Sequence, residues 1–259
     1  MEIAWARVGL GFFITIVICA LLPTAWAYVS ASSYENPFPI AFYTLVMRSN
    51  PMVLAFGLLA AVPYVVTFGG QLSHRYLVYT RTRESIRRTV LIRVLACALV
   101  TFVAFFAVGA LPFLAAYLPG IEYFPQASGL NTPAAVAQAQ ASYATFTQLT
   151  AISPWLFGLF FSTWLGLNAA AYAVLALVSS MVFRNRLLGF SLPWVVSIVA
   201  AFSMAVTGGE EFSPDTIFPF NLEQLPTWQP FVPFGVTVAL ALGSAVTLVL
   251  VSDRLHRCQ

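Results

Sequence analysis

The sequence predicts an all-α integral membrane protein with six transmembrane helices and both termini in the cytoplasm. Three observations carry that prediction. First, the 259 residues are 60% hydrophobic and only 8% charged, with a mean hydropathy of +0.85, whereas soluble domains carry about 25% charge. Second, a bilayer core roughly 30 Å thick takes about 20 apolar residues per helix, and six stretches qualify, near 8–28, 51–69, 89–118, 154–183, 187–207 and 231–252. Third, the charges sort by side. Arg7, Arg75, Arg81, Arg83, Arg87, Arg88, Arg93, Arg184, Arg186, Arg254 and Arg257 fall on one side of this topology, and only Arg48 on the other. Glu35, Glu122, Glu210, Glu211, Asp215 and Glu223 sit opposite the arginines. Basic residues gather on the cytoplasmic face, so that face holds the termini.

Taken in order, the first span opens after Arg7. Arg7, the apolar run Val8 to Leu22 and the triplet Ala25-Trp26-Ala27 loosely match a cleavable secretory leader. Trp26 and Tyr28 equally suit an aromatic belt at the outer end of a retained span, and retention is the expectation. Helix starts are marked by a capping side chain followed by proline, whose missing N–H costs nothing at the first helical position. The pair occurs at Asn50-Pro51, Thr132-Pro133 and Ser153-Pro154. The first and last open spans two and four, and the middle one opens an alanine- and glutamine-rich outer helix over 133–148. Pro23, Pro63, Pro112 and Pro193 lie inside spans, where kinks are expected. The three-residue connection Arg184-Asn185-Arg186 makes spans four and five a tight hairpin, and Gly208-Gly209 ends span five. Residues 210–230 interleave four prolines with Phe212, Phe218, Phe220 and Trp228, which reads as short helices at the outer interface. No soluble domain or linker interrupts this single transmembrane domain, 1–259.

Much chemistry is excluded by composition. The chain has no lysine, hence no phosphate-binding loop of the Walker type, no Schiff base and no lysine nucleophile. The span cores carry no Asp, Glu, Arg or His in mid-membrane, which disfavours a proton- or cation-driven carrier. His74 and His256 both lie on the cytoplasmic side, against paired haem ligation within the membrane. Cys19, Cys97 and Cys258 have no metal or disulfide spacing and read as small hydrophobes. Glu210-Glu211 is similar to the glutamate pair of prenyl-endopeptidase-like enzymes, but position 215 is Asp where that family has arginine, so a solvated acidic loop is the simpler reading. Polar residues within spans are Thr15, Thr101, Ser162, Thr163, Asn168, Ser179, Ser180 and Ser197. Asn168 is the costliest to bury. Asn168 and Thr163 are candidates to face a cavity, against the alternative of interhelical glue worth about 0.6–2 kcal/mol. The small-residue pairs Gly57/Ala61 and Gly166/Ala170 permit close helix approach.

The segment 71–93, QLSHRYLVYTRTRESIRRTVLIR, is the one long cytoplasmic connection. Leu72, Tyr76 and Tyr79 recur at helical spacing, predicting a short amphipathic helix along the membrane surface. Thr80-Arg81-Thr82-Arg83 breaks the pattern, and Ile86, Val90 and Val94 resume it into span three, with Glu84 placed to pair with Arg87 or Arg88. The arginines hold the loop inside and bind anionic lipid, each worth about 1 kcal/mol near the surface. A second reading makes Leu72, His74, Arg75, Tyr76, Leu77 and Tyr79, with Arg81 and Arg83, a docking element for a cytoplasmic protein. Nucleic acid is not an expected partner.

In this topology and local texture the chain resembles the six-span permeases of the type 2 ATP-binding-cassette exporters. The resemblance covers the whole chain. It rests on an amphipathic coupling helix between spans two and three (Leu72 to Thr80, within a coupling segment 71–88), the arginine-rich turn Arg81 to Arg88, the tight turn between spans four and five, and the interfacial element Phe212 to Pro230. Two features depart from it: only Met1 to Arg7 precede span one, where the family has an elbow helix, and Pro119 to Ser153 is long. The resemblance implies a permease that exports a hydrophobic or amphipathic compound across a plasma membrane, the bacterial inner membrane. Its implied partners are a cytoplasmic cassette ATPase, a second permease, identical or homologous, and the surrounding lipids. No cofactor belongs to this chain on that reading, and ATP and magnesium sit on the partner. A non-transporting immunity or sensor subunit, or a membrane enzyme acting on lipid, is the alternative.

Overall fold

The computed structural model describes residues 10–30, 39–48, 52–65, 86–118, 138, 144–183, 185–217 and 228–257. These residues form helices and turns, with no strand among them. Seven helices are α1 (Leu10–Val29), α2 (Pro39–Arg48), α3 (Met52–Ala61), α4 (Ile86–Tyr117), α5 (Pro154–Val182), α6 (Arg186–Thr207) and α7 (Phe231–Arg257). α1, α4, α5, α6 and α7 are long and apolar enough to cross a membrane, so the chain is an all-α, multi-pass membrane protein. In hydrocarbon a helix satisfies its own backbone polar groups, which is why apolar runs of this length adopt it.

α5 is the hub. It is the most buried of the long helices and touches α3, α4, α6 and α7. Its partnership with α4 is an antiparallel seam built on glycine. A Cβ at Gly109 would come within 2.9 Å of the Ser162 Cα, one at Gly158 within 2.5 Å of the Phe113 ring, and one at Gly166 within 2.9 Å of the Phe102 carbonyl. In lipid, where no hydrophobic force drives helices together, such close backbone approach supplies the dispersion that does. The opposite stripe of α4, Leu91, Leu95, Leu99 and Val103, is exposed and forms a lipid-facing side.

The expected hairpin between α5 and α6 is present. Asn185 caps α6, its Oδ1 accepting from the Leu187 N–H at 3.1 Å. A Cβ at Gly189 would stand 2.6 Å from the Ser180 Cα, so glycine is required where the two backbones meet. At the far end of α6, Gly208 adopts φ 75° and closes the helix. Ser153 is extended and Pro154 takes the first helical position of α5, as the sequence predicts, although the serine side chain makes no capping bond. The other two capping pairs lie outside the described residues.

Three differences from the sequence reading stand out. The first is α2, which the sequence reading treats as loop: Ile40, Phe42, Tyr43 and Val46 have no exposed surface at all. α2 is a short core helix wedged against α1, α3 and α4. The second concerns span two, 51–69. Its described part is α3, interrupted at Ala55 (φ −111°, ψ 17°) and followed by a turn that contains Pro63, while Pro51 and residues 66–69 lie outside the described residues. The third concerns the prolines. The chain adjusts ahead of Pro23 by a π-helical turn, Val17–Leu21, whereas Pro112 and Pro193 sit within continuous helices. Of the segments that the sequence reading places on the outer side, Thr147–Ala151, Glu210–Phe212 and Pro214–Ile217 are 3₁₀ turns. Most of 133–148 and the stretch 218–227 lie outside the described residues.

Candidate functional site: an apolar groove between three helices

α5 is well covered, but α6 and α7 are not. The two diverge from α5 enough to leave a groove of about 370 Å³, within the size range of small-molecule sites. Its walls come from α5 (Tyr172), α6 (Pro193, Ala200), α7 (Val236, Leu240) and the 3₁₀ turns after α6 (Phe212, Pro214). The lining is almost wholly apolar. Its polar content is hydroxyl groups. Tyr172 Oη and Ser197 Oγ share a hydrogen bond of 3.1 Å across the groove. Thr237 Oγ1 donates to the Pro233 carbonyl at 2.8 Å, and Ser244 Oγ to the Ala241 carbonyl at 3.0 Å. Both donors are thus occupied within their own helix, and the Thr237 hydroxyl also faces that of Tyr172.

Tyr172 is the anchor. Its ring is 4% exposed and stands edge-on to Phe56 of α3 at 5.5 Å, which fixes the hydroxyl at the groove floor. Trp194 ties α6 to α3 from the other side, its Nε1 donating to the Leu54 carbonyl at 2.8 Å. Gly57 allows this, since a Cβ there would meet the Trp194 Cα and the Tyr172 ring at 3.2 Å. The small residues Gly57 and Gly166 are therefore both used for packing within the chain.

One mouth of the groove is acidic. Phe212 and Pro214 line it, and their chain neighbours Glu210, Glu211 and Asp215 are exposed. Glu211 accepts from the Gln229 side-chain amide. Partial burial beside the groove wall holds the Asp215 carboxyl above the usual aspartate range, because desolvation penalises the charged form.

The residues picked out by sequence fall differently. Asn168 is fully buried in α5, its Nδ2 donating to the Trp164 carbonyl at 2.9 Å, while its Oδ1 has no partner among the described residues. It does not line the groove. Thr163 is half-buried and donates to the Leu159 carbonyl at 2.8 Å, also away from the groove. Leu72, His74, Arg75, Tyr76, Leu77, Tyr79, Arg81 and Arg83 lie outside the described residues, as does the rest of 71–85. Cys19 and Cys97 are buried in apolar surroundings. Among the described residues no three of His, Cys, Asp and Glu come together as a metal site. The groove residues themselves were only partly visible in the sequence: Ser179 and Ser197 stand out as polar groups within spans, but nothing links them to Tyr172 or Thr237 before folding.

The chain matches no protein-family model, no curated protein sequence and no solved structure.

Proposed function

We propose that this chain is the membrane-spanning permease subunit of an ATP-driven transporter of the cassette type, moving a hydrophobic or amphipathic compound across the plasma membrane. The observation that carries the proposal is the groove between α5, α6 and α7, an apolar surface with a few hydroxyl groups. Such a surface suits a cargo already dissolved in the bilayer. A chain without lysine cannot build a phosphate-binding loop of the Walker type, so the energy source on this reading is a separate cytoplasmic ATPase. A second permease, identical or homologous, completes the path.

The packing supplies a route for force. Residues 71–85 lead directly into α4, which begins at Ile86. α4 is locked to α5 along the glycine seam, and α5 forms one wall of the groove. A partner that closes on ATP and displaces Leu72 to Arg83 thus moves α4 and α5 together. α6 and α7, less tightly held, shift relative to them, and the groove changes shape. Such a two-state rearrangement needs the ATP-bound partner to favour one arrangement over the other.

The test is gentle purification of the tagged chain from its native membrane, followed by mass spectrometry of stoichiometric partners. A cassette ATPase is expected to co-purify, and Arg81→Glu combined with Tyr76→Ala to release it without loss of the folded permease. Recovery of the folded chain with no ATPase would overturn the proposal.

A further inference from the structure

The groove has a polarity along its length that narrows the class of cargo. On α7 it runs from Val232 to Ser244, about 18 Å at 1.5 Å per residue, close to the thickness of one leaflet of a bilayer core of roughly 30 Å. The walls along that run are apolar, so a single hydrocarbon chain fits lengthwise. Among the described residues, the carboxylates next to the groove wall in the chain stand at one mouth. Asp215 follows Pro214 of the wall and is exposed. Glu210 and Glu211 stand beside it, exposed, and no basic residue lines the groove among the described residues. The same mouth carries an aromatic pair, Phe212 and Trp228, with ring centroids 5.9 Å apart and Trp228 largely exposed. Aromatic faces next to carboxylates attract an ammonium group by cation–π and Coulomb forces together.

From this we infer that the groove takes a cationic single-chain amphiphile, with its amine at the Asp215 mouth and its hydrocarbon chain lying between α6 and α7 over Tyr172. The inference deepens the transporter reading and rests on it for the groove being the cargo site. A phospholipid fits worse on two counts. It brings a phosphate to an acidic mouth, and it has two chains for a groove of about 370 Å³. Tyr172, Ser197 and Thr237 lie deep to the head and give the first carbons of the chain a weakly polar step from the aqueous interface to the apolar run.

The experiment uses the full chain in phosphatidylcholine nanodiscs, carrying Cys258→Ser and the reporter Ala200→Cys in the groove wall. Alkylation of that cysteine by a lipid-soluble maleimide is timed with dodecyltrimethylammonium or with dodecyl sulfate, each at the same membrane-bound concentration. The cation is expected to slow alkylation and the anion to leave it unchanged. Asp215→Asn, an isosteric change at an exposed residue, is expected to raise the concentration of cation needed for half-protection roughly fivefold, the upper range for a partly exposed charge pair. Equal protection by cation and anion, or an unchanged half-protection in Asp215→Asn, overturns the cationic class while leaving the groove as an amphiphile site. Protection by neither overturns both this inference and the assignment of the groove as the cargo site.

Discussion

Replacing Tyr43 by alanine is expected to cost about 3–5 kcal/mol of stability, the usual range for removing a buried aromatic ring. Tyr43 is completely buried. Its ring meets Phe113, Phe157 and Phe161 edge-on, at 5.8, 6.1 and 6.0 Å, and its hydroxyl donates to the Gly109 carbonyl at 3.3 Å. It therefore touches both sides of the α4–α5 seam from α2. Edge-on aromatic pairs contribute about 0.5–1.5 kcal/mol each beyond the area they bury. The long hydroxyl bond is the lesser part, about 0.5–1 kcal/mol. The midpoint of thermal unfolding in detergent should thus fall by many degrees in Tyr43→Ala and by only a few in Tyr43→Phe. Similar midpoints for Tyr43→Ala and the unsubstituted chain would show that α2 is not part of the core.

Filling the groove is the second change with a large expected effect. Ala200 sits in the α6 wall, half-buried and facing open space. A tryptophan there enters the groove rather than the core, so the fold should survive, with an unchanged unfolding midpoint. On the proposed reading the tryptophan displaces the amphiphile from the groove. Overpacking costs about 1–3 kcal/mol and each 1.4 kcal/mol is tenfold in affinity, so apparent affinity should fall roughly ten- to hundredfold. In the proposed complex with a cassette ATPase, ATP hydrolysis stimulated by dodecyltrimethylammonium should return to the basal rate in Ala200→Trp. Full stimulation in that variant would place the cargo elsewhere.

The long helices were legible because their signal is local and additive. An apolar run of membrane length bounded by charge or proline needs no knowledge of its neighbours, and the expected 154–183 and 187–207 agree with Pro154–Val182 and Arg186–Thr207 to within a residue. The α5–α6 hairpin was legible for the same reason, since a three-residue connection admits no other geometry. α2 was not. At ten residues it is half the length a span requires, and it lies between Glu35 and Arg48, in what reads as loop. Its signal is that Ile40, Ala41, Phe42, Tyr43, Leu45 and Val46 are apolar around every face, the pattern of a helix buried all round.

The groove was illegible because it is assembled from α5, α6 and α7 across more than seventy positions of sequence, from Tyr172 to Ser244. No periodicity within one helix reports which of its faces a neighbour will leave open. Asn168 shows the converse. Its burial was legible from its position in an apolar run, but its bond to the Trp164 carbonyl gives it a partner within its own helix, and it stands away from the groove. Exposed glycines add a further contrast. Gly235 and Gly243 of α7 have open space where a side chain would stand, so the same residue type that locks α4 to α5 carries no packing constraint on α7.

The central claim is that a groove between α5, α6 and α7 changes shape under the control of a nucleotide bound to another protein. The most direct measurement is the rate at which a lipid-soluble maleimide alkylates Ala200→Cys, in a Cys258→Ser background, in native membranes with and without ATP and vanadate. The account predicts two distinct rates, one for each nucleotide condition, and a single rate once Arg81→Glu and Tyr76→Ala are added. An identical rate with and without nucleotide, in membranes where the partner ATPase is bound, would contradict it.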